Sequence, residues 1–504
     1  MGWAPLEPGP QHLTVNVARS FCGGVSMSRS LQKRFTTLRA ALLAGTAVAA
    51  ALGAPAAFAE TLPEALALAY QNNPTLQAAR AQLRAVDESV PIALSGWRPS
   101  LTVNGNVQRA RNESEITRGS NAGALFGGGV TLRTSEQVAV TLRQPVFRGL
   151  KTVAGTSQAR AQVMAQRARL QSTEAQVLLE STSAYLDVLR DQAVLDLQGN
   201  NVQVLNRQLE ATRDRFRVGE ITRTDVAQAE ARWSGAVASR IQAEGTLQKS
   251  RANYENNVGK PPEALTQPPL ITGLPGTIDE AIDAAIKANP NYVAADFTAR
   301  AAQDGVDVTR GDILPTFDIE AQYAKGFDTL ADKSKATNAQ ARAVLTVPLY
   351  QQGAEYARLR QSKHTAGQRR LEADQARLDA RETTTAAWEN YQAFTASIES
   401  LAAQISASEI ALEGVQREAE VGSRTVLDVL DAEQELLNAR VNLVRAQRDQ
   451  MVAAYQLLSA MGRLNAETLG LDVAGYDPLA HFDDVEGKVF GSSVEADRDA
   501  DRNK

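Results

Sequence analysis

Two periodicities alternate along this chain. After Pro99, "SLTVNGNVQ" sets Leu101, Val103, Gly105 and Val107 against Thr102, Asn104, Asn106 and Gln108, and "QVAVTLRQP" sets Val138, Val140 and Leu142 against Gln137, Ala139, Thr141 and Arg143. Further on, "TFDIEAQYA" sets Phe317, Ile319, Ala321 and Tyr323 against Asp318, Glu320 and Gln322. "AQARAVLTVP" likewise sets Ala341, Ala343, Leu345 and Val347 against Gln340, Arg342 and Thr346. A period of two puts alternate side chains on opposite faces of a strand. The pattern predicts strands over about 100–109, 136–146, 316–325 and 338–348, each with one apolar and one wet face. Taken alone, it also fits the edge of a soluble sandwich.

The second period is helical. Proline-free stretches rich in Ala, Gln, Arg, Glu and Leu predict long helices over about 149–217, 222–258, 353–420 and 425–461. At ~1.5 Å per residue the two longer ones each span ~100 Å, longer than a globular domain ordinarily uses. Phe394, Ile398, Leu401, Ile405 and Leu412 follow three-and-four spacing. So do Leu437, Val441 and Val444, then Met451, Tyr455 and Leu458 after an interruption at Arg448. This is a coiled-coil seam whose many alanines allow close approach.

The chain is written twice. "TLPEALALAYQNNP" (61–74) matches "TIDEAIDAAIKANP" (277–290), Pro99 matches Pro315, and Gly219 and Gly259 match Gly422 and Gly462. The copies occupy 60–258 and 277–469 and differ mainly by an extra stretch between Pro99 and Pro145, which belongs in an exposed loop. A Pro-rich linker, 259–276, is expected to lie extended against the body, and the acidic end, 470–504, is expected to be disordered. Residues 27–59 read as a secretory leader: Arg29, Lys33, Arg34 and Arg39, an Ala/Leu run, then Ala57-Phe58-Ala59. Met27 is the expected start and Ala59 the expected cleavage point, with 1–26 a dubious extension.

Composition removes several classes. With 53 basic and 58 acidic residues among 504, a net charge of -5 gives no basic face for a nucleic-acid partner. The single cysteine, Cys22, precedes the mature chain, so no disulfide is expected. His12, His364 and His481 form no metal-ligand pattern, and neither a G-x-S-x-G elbow nor a Walker loop is present. No enzyme, cofactor or metal is expected. No apolar run past residue 60 approaches the ~20 residues of a membrane helix, so any crossing must be made by strands. Four strands cannot close a barrel, whose smallest common form has ~8. Two chains would supply eight and three would supply twelve. The competing expectation is a periplasmic coiled-coil scaffold or adaptor without a barrel.

One phrase closes each pair of long helices: "RVGEITRTDVAQAE" (217–230) and "EVGSRTVLDVLDAE" (420–433). Gly219 and Gly422 suit left-handed helix ends, and Thr222-x-x-Asp225 and Thr425-x-x-Asp428 suit boxes that cap the next helix. A tight helix-to-helix turn therefore explains most of the phrase. It does not explain Asp431, whose counterpart is Gln228 and which shares a helix face with Asp428.

The order of leader, short helices, strand hairpin, long helix pair and linker, repeated with V-G-x-x-T-x-x-D-V, resembles the TolC family of outer membrane efflux and secretion channels over about residues 60–470. The resemblance implies an α+β membrane protein: a homotrimer with a 12-stranded β-barrel continuing into a periplasmic α-helical barrel. It implies a periplasmic adaptor and an inner membrane ABC or proton-driven transporter as partners, in type I secretion or multidrug efflux. It also implies that Asp428 and Asp431 line the pore constriction, and that Arg424 ties the gate with Thr224 and Asp225 as its partners. In a trimer the aspartates form two stacked carboxylate rings, which favour cations and are expected to raise one another's pKa. The family's tyrosine five residues before the arginine is Ala419 here.

Overall fold

The computed structural model describes residues 60–114, 129–271, 273–329 and 333–494. The expected leader, the tip of the first-copy strand loop and residues 495–504 lie outside the described residues. The first copy comprises α1 (Leu62–Asn72), α2 (Pro74–Asp87), α3 (Ser89–Leu94), β1 (Ser100–Ser114), β2 (Gly129–Arg148), α4 (Lys151–Arg217) and α5 (Arg223–Val258). The second comprises α6 (Ile278–Ala288), α7 (Pro290–Arg310), β3 (Thr316–Phe327), β4 (Lys335–Thr346), α8 (Ala354–Glu420) and α9 (Val426–Ala460). A short α10 (Ala480–Glu486) follows.

The repeated Asn-Pro explains how each copy folds on itself. Asn73 caps α2 by accepting from Thr75 N–H at 2.9 Å, and its amide donates to Asn257 O at the end of α5. Asn289 caps α7 by accepting from Asn291 and Tyr292 N–H, and its amide donates 2.9 Å to Ala460 O at the end of α9. One side chain thus starts a helix and ties the copy's last helix to its first pair. Gly462, at φ +70°, completes this joint: a Cβ there would lie 2.1 Å from Ala288 O. Leu66, Leu83, Leu178, Tyr185, Leu247, Leu457 and Met461 pack there as the main core. Leu265, Ile271 and Leu274 of the linker lie against it.

The long helices α4 and α8 contain 67 residues each, ~100 Å of helix. Alanines spaced by seven on α8, Ala366, Ala373, Ala380 and Ala387, are buried. That spacing keeps one narrow face toward a neighbouring helix. Arg448, which interrupts the α9 seam, reaches across to α4 and pairs with Asp187 at 2.9 Å.

All four strands form one antiparallel sheet in the order β1-β2-β3-β4, joined between the copies by β2 and β3. Its register places Thr102, Thr141, Gln322 and Gln340 in one cross-strand row, and Leu101, Leu142, Ala321 and Ala341 in the next, on the opposite face. The polar face is knitted together: Arg143 donates 2.7 Å to Asp318, Arg342 donates 2.8 Å to Glu320 and Gln340 donates 2.6 Å to Gln322. It is also the sheltered face, since Ala139 and Ala324 on it are each 8% exposed, whereas Leu101 and Val103 opposite are 67% and 66% exposed. The sheet has one polar face, sheltered at its centre, and one exposed aliphatic face, and β1 and β4 are its outer edges.

Two expectations change. The strands run longer toward their turn ends than the alternation marks, β1 to Ser114 and β2 from Gly129, because backbone pairing continues where Arg109 and Arg111 replace the aliphatic residues. β4 stops at Thr346 instead of 348, ahead of Val347-Pro348. The end expected to be disordered is packed as far as α10, and its chain is described to residue 494. Leu471 and Val485 are buried, Tyr476 N–H donates to the Tyr70 hydroxyl, and His481 Nδ1 lies 3.1 Å from the buried Asp87. Acidic composition hid the few apolar side chains that dock it.

Candidate functional site

At the end remote from the sheet, both helix pairs turn over the same five-residue path. After α4, Gly219 takes φ +84°; after α8, Gly422 takes φ +80°. Glu220 N–H donates to Arg215 O and Ser423 N–H to Glu418 O, the bonds that close a helix on a left-handed residue. Thr222 and Thr425 then cap α5 and α9. In each box the threonine N–H donates 2.9 Å to the aspartate (Asp225 or Asp428), while the aspartate N–H donates back to the threonine hydroxyl at 3.4 and 3.3 Å.

The two turns part company in their side chains. On α9, Val426 and Leu430 pack against Leu205, Leu209 and Ala236 of the first pair. Val429 and Leu436 pack against Leu412 of their own pair. Asp428 and Asp431 occupy the face left over. Arg232 on α5 donates 2.5 Å to Asp431, an exposed bond that joins the two helix pairs. Arg424 donates from Nε to Glu418 at 2.9 Å, within its own turn.

Several expectations are therefore redistributed. Within the protomer, Arg424 does not meet Thr224 or Asp225: Thr224 is exposed on the first turn of α5, and Asp225 is held by Thr222. The Asp428 carboxyl sits below the usual range because the Thr425 N–H and hydroxyl donate to it, opposite to the rise expected from ring crowding. A single chain contains the cap but no ring. Ala419 packs beside Leu412 and Val429, so no side chain of a tyrosine's reach extends from that position. Glu418 and Arg232 were not foreseen. Arg232 lies one helical turn beyond Gln228, the counterpart of Asp431, yet no local pattern pairs residues so distant in sequence. Glu433, half-buried beside Gln416, has its carboxyl pushed up by burial.

Among the described residues no helix is long and apolar enough to cross a membrane, and no group of three or more His, Cys, Asp or Glu is placed to hold a metal ion.

A family model described as outer membrane efflux protein matches residues 65–259 and 281–463, the two copies. The outer membrane efflux protein BepC of Brucella suis is 36% identical over 454 residues, covering 90% of this chain and 95% of the relative. The outer membrane protein TolC of Vibrio cholerae is 28% identical, covering 85% and 98%. Among solved structures, the outer membrane protein VceC from Vibrio cholerae superposes with a TM-score of 0.69 at 20% identity, covering 80% of this chain and 96% of that one. The CmeC outer membrane channel of Campylobacter jejuni gives 0.71 at 15% identity, covering 84% and 89%.

Proposed function

We propose that this chain, which belongs to the outer membrane efflux protein family and is an outer membrane export channel, works as a homotrimer. The observation that carries the reading is the four-stranded sheet with one exposed aliphatic face, one polar face and two free edges. In lipid, free edges leave backbone donors and acceptors unpaired, so copies must join β4 to β1. Three copies give twelve strands, and the helix pairs continue that barrel as a tunnel into the periplasm. The scaffold alternative has no use for such a sheet.

In this assembly the turns gather at the tunnel's far end. Asp428 and Asp431 form two carboxylate rings that select cations and bind a polyvalent one tightly enough to block the pore. Arg424 reaches Thr224 and Asp225 of the adjacent copy by exchanging its Glu418 bond for a charge-assisted one across the subunit boundary. The gate opens when a periplasmic adaptor offers better contacts than these links. An inner membrane ABC or proton-driven transporter feeds the tunnel, in type I protein secretion or multidrug efflux, and no catalytic step belongs to the channel. Unheated electrophoresis of detergent-extracted protein tests the assembly: a trimer that collapses to monomer on boiling supports it, and a detergent-independent soluble monomer refutes it.

A further inference from the structure

The C-terminal loop holds an aromatic side chain away from the protein. α10 is firmly docked: Phe482 packs beside Val90 and Val163 under the Arg167 guanidinium, and Glu486 accepts from Arg160 at 2.7 Å. Past Gly487 the chain turns back on itself. Arg98 donates 2.9 Å to Lys488 O, the Lys488 ammonium donates 3.0 Å to Ser493 O, and Gly491 makes the reversal at φ +107°. The loop is tied at its base, yet at its tip Val489 is 60% and Phe490 91% exposed. A tethered loop that presents an aliphatic and an aromatic residue beside a lysine has the composition of a membrane-interface contact.

Its position points to the same partner. Arg98, the anchor, stands two residues before β1, and the outward Leu101 and Val103 follow at once. We propose that the Lys488–Ser493 loop rests on the periplasmic phospholipid leaflet of the outer membrane, with Val489 and Phe490 inserted at the foot of the strands and Lys488 at headgroup level. The inference rests on the barrel reading above. It adds a lipid-binding surface outside the strands, one that resists rocking of the tunnel beneath the barrel.

The test uses the full chain carrying Cys22→Ser with one added cysteine, Phe490→Cys or Val489→Cys, labelled with an environment-sensitive fluorophore in phosphatidylethanolamine/phosphatidylglycerol vesicles. Leu101→Cys reports the strand face, and Glu413→Cys, far down α8, reports water. The expected result is blue-shifted emission at 490 and 489, quenched by spin-labelled phospholipid and spared by iodide, as at 101. Iodide quenching at 490 and 489 with lipid quenching at 101 overturns this inference alone. Blue-shifted emission that neither quencher reaches places the loop against a neighbouring copy and also overturns it. Absence of lipid quenching at 101 refutes the barrel reading itself.

Discussion

The two helix turns are near copies in backbone that differ in their charged side chains. Both use a left-handed glycine, a threonine cap and a returning aspartate, with matching bonds at matching distances. The second alone adds Asp431, bonded to Arg232 of the other helix pair, and Arg424, bonded to Glu418. Backbone geometry accounts for what the turns share, since any reversal of two long helices must satisfy the end groups of both. What they do not share is charge: Asp431 at an exposed position of α9, and Arg424 in the turn ahead of it. The backbone scaffold occurs twice, and the two copies carry different charged side chains on it.

The comparison is sharpened most by removing the charges. Asp428→Ala/Asp431→Ala raises single-channel conductance severalfold and abolishes block by a trivalent cation, whereas Gln228→Ala, at the counterpart of Asp431 in the first turn, changes neither; planar-bilayer recordings decide. Backbone substitution should instead treat the turns alike. A Cβ at Gly219 or Gly422 meets no atom within 4 Å, so Gly219→Ala and Gly422→Ala each cost only the left-handed conformation, about 1–2 kcal/mol, read as lower urea resistance of the trimer. Unequal costs would show that one turn is buried in the assembly. Thr222→Ala and Thr425→Ala should each cost about 1 kcal/mol in the same assay. Arg232→Ala removes an exposed pair worth roughly 0.2–1 kcal/mol, a small loss of stability, but frees one helix pair from the other and raises the channel's open probability. A drop in open probability would contradict the link.

Acid gives a further difference. Asp428 has a folded-state pKa below its unfolded one, so its capping contribution is present above the ordinary carboxylate range of about 4 and is lost as pH falls through the lowered value. Amide exchange at Val426 to Leu430 should therefore accelerate only below about pH 4. Acceleration already near pH 6 would indicate that ring crowding has reversed the shift.

Much of this architecture could be read from the residues because its signals are local. Alternation marks the strands from Leu101 and Val138, and the paired Gly and Thr-x-x-Asp mark the turns. The parts that escaped depend on distance in space. Arg232 meets Asp431 and Asn289 meets Ala460 O across 199 and 171 residues of chain, and nothing near either residue in sequence announces it. The Arg424 bond to Glu418 within the protomer escaped as well, because the resemblance points that arginine at the other helix pair. The ordered tail escaped because three or four apolar anchors among acids suffice to dock a short helix.

The central claim is that the α8–α9 turn, unlike its twin, is the gate. Single-channel conductance of the purified protein in planar bilayers, compared with Asp428→Ala/Asp431→Ala and with Gln228→Ala, tests it most directly. The account predicts a small, cation-selective conductance blocked by a trivalent cation, with opening and loss of block in the double variant alone. Equal conductance and equal block in all three proteins would contradict it, leaving both turns as caps and nothing more.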